Sequence, residues 1–142
     1  MMIRTLLLVL LCLALGAPLF SNQDSAEKLG ELMGDFQRTT KKLPGMLEDE
    51  PRWDEALAEV CRLQKVAIDA KSEVPSLISG MEDEKKRKKA RLQYRAKMQD
   101  FVRALLEIET ALLKENVKAA KKGLRELDKL KSDGHGKFKR EW

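Results

Sequence analysis

Tyr94-Arg95-Ala96-Lys97-Met98-Gln99-Asp100-Phe101-Val102-Arg103-Ala104-Leu105-Leu106-Glu107-Ile108-Glu109-Thr110-Ala111-Leu112 decides the fold of this chain. Its apolar residues Tyr94, Met98, Phe101, Leu105, Ile108 and Leu112 recur alternately four and three apart, the spacing that aligns side chains along one face of an α-helix. The helix is expected to end near Lys114. Upstream, Glu82 to Arg91 contains no large apolar residue, so it reads as an exposed helical extension or a loop.

The same period continues on both sides. Asn116 is a good cap for a last helix carrying Val117, Ala120, Leu124, Leu127 and Phe138 on one side and reaching nearly to Trp142. Before the decisive stretch, Pro51 opens a helix from Arg52 to Val74, with Trp53, Leu57, Val60, Cys61, Ala67 and Ile68 as its inner face. Pro75 ends that helix and Ser76 to Gly80 make a turn. Ser25 is the expected cap of a first helix, Ala26 to Leu43, with Leu29, Leu32, Met33, Phe36 and Leu43 inside and Pro44-Gly45 as its stop. Four amphipathic helices with short connections make antiparallel neighbours. The expected fold is all-α, an antiparallel up-down-up-down four-helix bundle.

Composition agrees. The 142 residues suit one domain, charged residues make up 36% and aromatics 5%, and β-branched runs that would build a sheet are scarce. Residues 1–21 stand apart: Arg4 gives a charged start, Thr5 to Leu15 are almost wholly apolar, and Gly16 to Ser21 are rich in small residues. This is the anatomy of a secretory signal peptide, cleaved near 16 or near 21, leaving the bundle domain over 22–142. Leu6 to Phe20 falls short of the ~20 apolar residues that span a bilayer, so no stable membrane insertion is expected after cleavage. Cys12 does not mark a lipoprotein, because Leu11 stands where a small residue is needed. Loss of Arg4 takes the formal charge from +5 to +4, and loss of Cys12 leaves Cys61 alone, without a disulfide partner, as a small core residue.

His135 is the only histidine. At about 100° per residue, the apolar residues of the last helix fall between about 0° and −80° from it, which puts His135 on the edge of the inward stripe. Met33 holds the equivalent edge in the first helix, with Leu29, Phe36 and Leu43 at about −40° to −80°. Met33 lies ~12 Å from Ser25 and His135 ~10 Å from Trp142, and these two ends share one pole of the bundle. A thioether and an imidazole facing each other at one depth suit the axial positions of a haem iron. Against this stand plainer readings: a terminal histidine is commonly just exposed, and a helical methionine is commonly just packing. Gly134 and Gly136 either fray the helix or let a flat macrocycle approach its backbone.

Three runs carry a resemblance: Lys28-Leu29-Gly30-Glu31-Leu32-Met33, Ile68-Asp69-Ala70-Lys71 followed by Pro75, and Gly134-His135-Gly136-Lys137-Phe138. In order and spacing, from about Ala26 to Trp142, the chain resembles the soluble cytochrome b562 family. The resemblance implies a periplasmic bundle that holds haem b and its iron without covalent attachment and carries single electrons, with Met33 and His135 as axial ligands. The cytochrome c′ relatives attach haem through Cys-x-x-Cys-His, whereas Ser132-Asp133-Gly134-His135 has no cysteine. Lys131 stands where family members can have an arginine, one turn before the histidine. Leu29, Phe36, Tyr94 and Met98 are the expected lining, first as core residues and second as haem neighbours, with Phe101 replacing Tyr94 and Met98 in another alignment.

The run Lys85-Lys86-Arg87-Lys88-Lys89-Ala90-Arg91 reads first as a solvated helix face. It also suits steering an acidic redox partner, or meeting haem propionates. Export argues against nucleic acid. No Gly-rich phosphate loop, metal-site spacing or nucleophile–base pair is present, so an enzyme is not expected. The alternative function is a haem-free helical-bundle binding module or periplasmic chaperone.

Overall fold

The computed structural model describes residues 22–48 and 51–139, so the leader, its cleavage sites and the final Trp142 lie outside the described residues. Four long helices carry the fold: α1 (Asn22–Met46), α2 (Trp53–Ser72), α4 (Glu84–Leu113) and α5 (Val117–Phe138), with a single-turn α3 (Ser76–Ser79) between the second and the third. Among the described residues there is no strand, and no helix is long and apolar enough to cross a membrane.

Each long helix forms for a local reason and is held by its buried stripe. Asp83 caps α4 by accepting from the Lys86 N–H at 3.0 Å, which makes Glu84 to Arg91 helical rather than loop. Asn116 caps α5 by accepting from the Ala119 N–H at 2.9 Å, as its sequence position predicts. All six apolar residues of the Tyr94–Leu112 stripe are buried. Full burial of such side chains stabilises by roughly 1.5–3 kcal/mol each.

Cross-helix pairs fix the topology. Gln64 of α2 donates to Glu109 of α4 at 2.7 Å and the Tyr94 hydroxyl donates to the Ala70 carbonyl at 2.7 Å, so α2 and α4 are antiparallel. Tyr94 meets Phe138 and Ile108 meets Gly123, so α4 and α5 are antiparallel. The start of α1 meets the end of α2 through Ser25. The order is up-down-up-down. The helices pack α1 on α2, α2 on α4 and α4 on α5, while α1 and α5 scarcely touch. The fourth side of the square is therefore open.

Several local expectations are corrected. Ser25 is not a cap: α1 already runs from Asn22, and the Ser25 hydroxyl donates to Glu73 at 2.8 Å while accepting from the Val74 N–H at 2.9 Å, tying α1 to the exit of α2. Lys28 adds an ion pair to Glu73 at 2.7 Å. α1 passes through Pro44-Gly45, because burying Met46 and Leu47 offsets one lost hydrogen bond in a final turn. Ser76 to Gly80 is a helical turn that buries Ile78 rather than a plain turn. On α2, Ile68 is exposed and Cys61 half-buried, and the core takes Ala56, Val60, Leu63, Val66, Ala67 and Ala70. With helices on both flanks, α2 uses alanines where backbones come closest; a reading weighted by side-chain size overlooks them.

Candidate functional site

Between α1 and α5, the neighbouring helices that touch least, runs a seam of apolar side chains. Phe101 of α4 forms its floor, meeting Phe36 of α1 edge-on with ring centres 5.6 Å apart, while a side chain at Gly134 of α5 would stand 3.9 Å from the same ring. Tyr94 meets Phe138 edge-on at 5.6 Å toward the pole. Leu29, Leu32 and Met33 on the α1 side, and Leu130 and Phe138 on the α5 side, pack against the core but stay half-exposed. Tyr94 and Met98 are buried behind them.

Met33 lies one turn before Phe36, and His135 directly follows Gly134, so each sits within a turn of a contact with Phe101. His135, expected on the edge of the inward stripe, is instead exposed. What burial it has lowers its pKa below 6.5, and the charges of Lys139 and Lys131 add to the effect. The ring is thereby kept neutral near pH 7, the form that offers a lone pair to a metal. Lys131 is half-buried one turn away and pairs with Asp128 at 2.9 Å. Burial, helped by the charge of Glu73, drives the Tyr94 phenol far above its usual range, so it acts as a fixed hydrogen-bond donor.

Sequence reasoning offered Phe101 only in a second alignment and left the two glycines open. Phe101 is the shared floor, a role visible only once α1 and α5 are both docked on α4. Gly134 and Gly136 both lie within α5, which continues to Phe138. Cys61 sits on the α2–α4 seam, its thiol donating to Glu109 at 3.6 Å. Burial, then the Glu109 carboxylate, pushes that thiol up in pKa and keeps it unreactive. Among the described residues, no group of three or more His, Cys, Asp or Glu side chains forms a metal cluster.

The fold defines a class: an up-down-up-down helical bundle whose first and last helices touch little, with Phe101 of α4 reaching Phe36 between them. A family model described as cytochrome b562 matches residues 28–139, and the chain belongs to the cytochrome b562 family. That family comprises haem-binding, electron-carrying bundles and implies haem b held without a covalent bond. Neither the curated proteins nor the solved structures compared with the chain give a match.

Proposed function

We propose that this protein holds haem b between α1 and α5, where His135 and Met33 would hold its iron, and carries single electrons in the periplasm after losing residues 1–21. The observation that carries the reading is the parting of α1 from α5 over Phe101, with the chain's only imidazole and a thioether at that level. The donor set fits the group: a neutral imidazole and a thioether are a haem-iron pair, and the surrounding wall is apolar.

When bound, haem supplies a one-electron iron couple. The chain's residues do the rest. His135 offers its lone pair because burial and two lysines disfavour its protonation. Met33 offers a soft ligand that favours the reduced metal. Leu29, Phe36, Met98 and the Tyr94–Phe138 pair exclude water and lower the local dielectric. Lys131 places positive charge beside the rim, suited to a carboxylate. Lys85 to Arg91, at the same pole on α4, attracts an acidic redox partner. Without a cysteine beside His135, attachment is non-covalent.

The test is an absorption spectrum of protein purified with haem present. The wild type shows a Soret band that His135→Ala loses, and Met33→Ala loses the low-spin features. A wild type that takes up no haem overturns the proposal in favour of a haem-free binding module; low-spin features retained in Met33→Ala assign the sixth position elsewhere.

A further inference from the structure

α5 departs from a rule that the other long helices keep. α1, α2 and α4 each carry an acid in the first turn (Asp24, Asp54 with Glu55, and Glu84), where the positive end of the helix dipole favours it. α5 has none there and carries Lys118 instead. Charge pairs three residues apart repeat the contrast. Asp35–Arg38, Arg52–Glu55, Glu59–Arg62, Asp100–Arg103 and Asp128–Lys131 set opposite charges side by side. Lys118, Lys122, Arg125 and Lys129 follow one another at steps of three or four and are all cations, an arrangement that destabilises a helix. All four are exposed, and among the described residues none of them is in an ion pair.

The four form a narrow stripe. With Leu124 at zero, the buried Ala120, Leu124 and Leu127 lie between about −60° and 0°, whereas Arg125, Lys118, Lys129 and Lys122 lie at about 100°, 120°, 140° and 160°. The stripe is ~16 Å long, and its first three cations line a shallow depression with Asn116 and Ala119. Beyond Lys129 the same line continues through the exposed, uncharged Gly136, with Ser132 at its edge. The acids of α5 stand off the line: Asp128 at about 40°, paired with Lys131, and Asp133 and Glu126 at about 180° and 200°. By contrast, the cations of Lys85 to Arg91 spread from about 20° to about 280° round α4, with Tyr94 at zero. That run attracts from a distance; the α5 stripe is a surface on which a partner can sit.

We propose that the outward stripe of α5, Lys118 to Lys129, is the docking surface for an acidic redox protein. The redox character of that partner rests on the haem reading; the contact itself rests on the charges. Like charges that strain the helix are relieved when a partner's carboxylates neutralise them. The stripe holds no large apolar side chain, which suits the small, weak contacts typical of electron carriers. An anionic membrane would find no apolar side chain to anchor it there, and Asp133 and Glu126 on the flank oppose a uniformly negative surface. A partner that extends along the stripe over Ser132 and Gly136 lies beside His135, ~9 Å along the helix from Lys129.

The probe is flavodoxin, an acidic one-electron carrier, titrated at low salt into isotope-labelled protein with and without haem and followed by NMR. Amide shifts are expected to cluster from Lys118 to Gly136, and binding to weaken steeply as salt is added. Lys118→Glu with Arg125→Glu weakens binding about tenfold. The same variant keeps or raises the urea midpoint, because it turns like-charge neighbours into opposite ones. Lys65→Glu with Arg103→Glu makes the same change of net charge at exposed positions on the outer α2–α4 face and weakens binding less than about twofold. Absence of binding at low salt overturns the proposal. So do shifts centred on Lys85 to Arg95, equal losses in the two double variants, or phosphatidylglycerol vesicles that bind the wild type through the stripe and displace flavodoxin. Docking on the stripe by protein that takes up no haem upholds the contact while the haem reading fails. Haem-loaded protein that does not bind flavodoxin overturns this inference alone.

Discussion

His135 shows how one side chain can carry charge information that its position in sequence does not. Its folded pKa lies below the ordinary 6.5, from burial first and then from Lys139 and Lys131. A histidine depressed in this way is protonated more readily in the unfolded chain. Its contribution to stability is therefore complete above about pH 6.5 and declines as pH falls through the lower folded value. The NMR titration of its ring is expected to have a midpoint below 6.5, and Lys131→Gln or Lys139→Gln to move it upward. Metal ligation needs the neutral ring, so haem retention is expected to extend below pH 6.5 and to shrink toward it in those variants.

At the scale of the helix, the glycine that packing demands is Gly123, not the pair beside His135. A Cβ at Gly123 would stand 2.5 Å from Cγ1 of Ile108, which is itself buried in the core. α4 and α5 approach closely here because one of them lacks a side chain. Gly123→Ala gains ~1 kcal/mol of helix propensity but overpacks the seam by ~1–3 kcal/mol, so a net loss is expected, read as a lower urea midpoint with an unchanged m-value. Gly136→Ala meets no neighbour within 4 Å and is the contrasting substitution. It is expected to stabilise the haem-free bundle by up to ~1 kcal/mol. Neither outcome follows from the residue type, since glycine in a helix looks the same in both places.

For the molecule as a whole, the open side sets where the fold is weakest. α1 is held by α2, by α3 and by the Ser25–Glu73–Lys28 cluster, but gains little from α5. Regions with fewer buried contacts open more readily. Amides of Lys28 to Phe36 in haem-free protein are therefore expected to exchange hydrogen faster than those of Phe101 to Leu112. A ligand that bridges α1 and α5 binds only the folded state and slows that exchange, by mass action. Hydrogen-exchange mass spectrometry with and without haem checks both statements; equal protection in α1 and α4 would contradict the first.

The sequence alone determined the class of fold, the α4 stripe and the cap at Asn116, because periodicity and capping act within a few residues and need no partner. What it did not determine depends on which neighbour each helix meets. Ile68 turns outward, alanines line α2 and Ser25 ties α1 to α2 rather than capping it, since these outcomes are settled by distances between helices. The site divides the same way. Candidate donors are legible from residue type and spacing. The aromatic floor at Phe101, the exposure of His135 on the rim and the open side of the bundle exist only after four helices pack, because a cleft is a property of the gaps between elements.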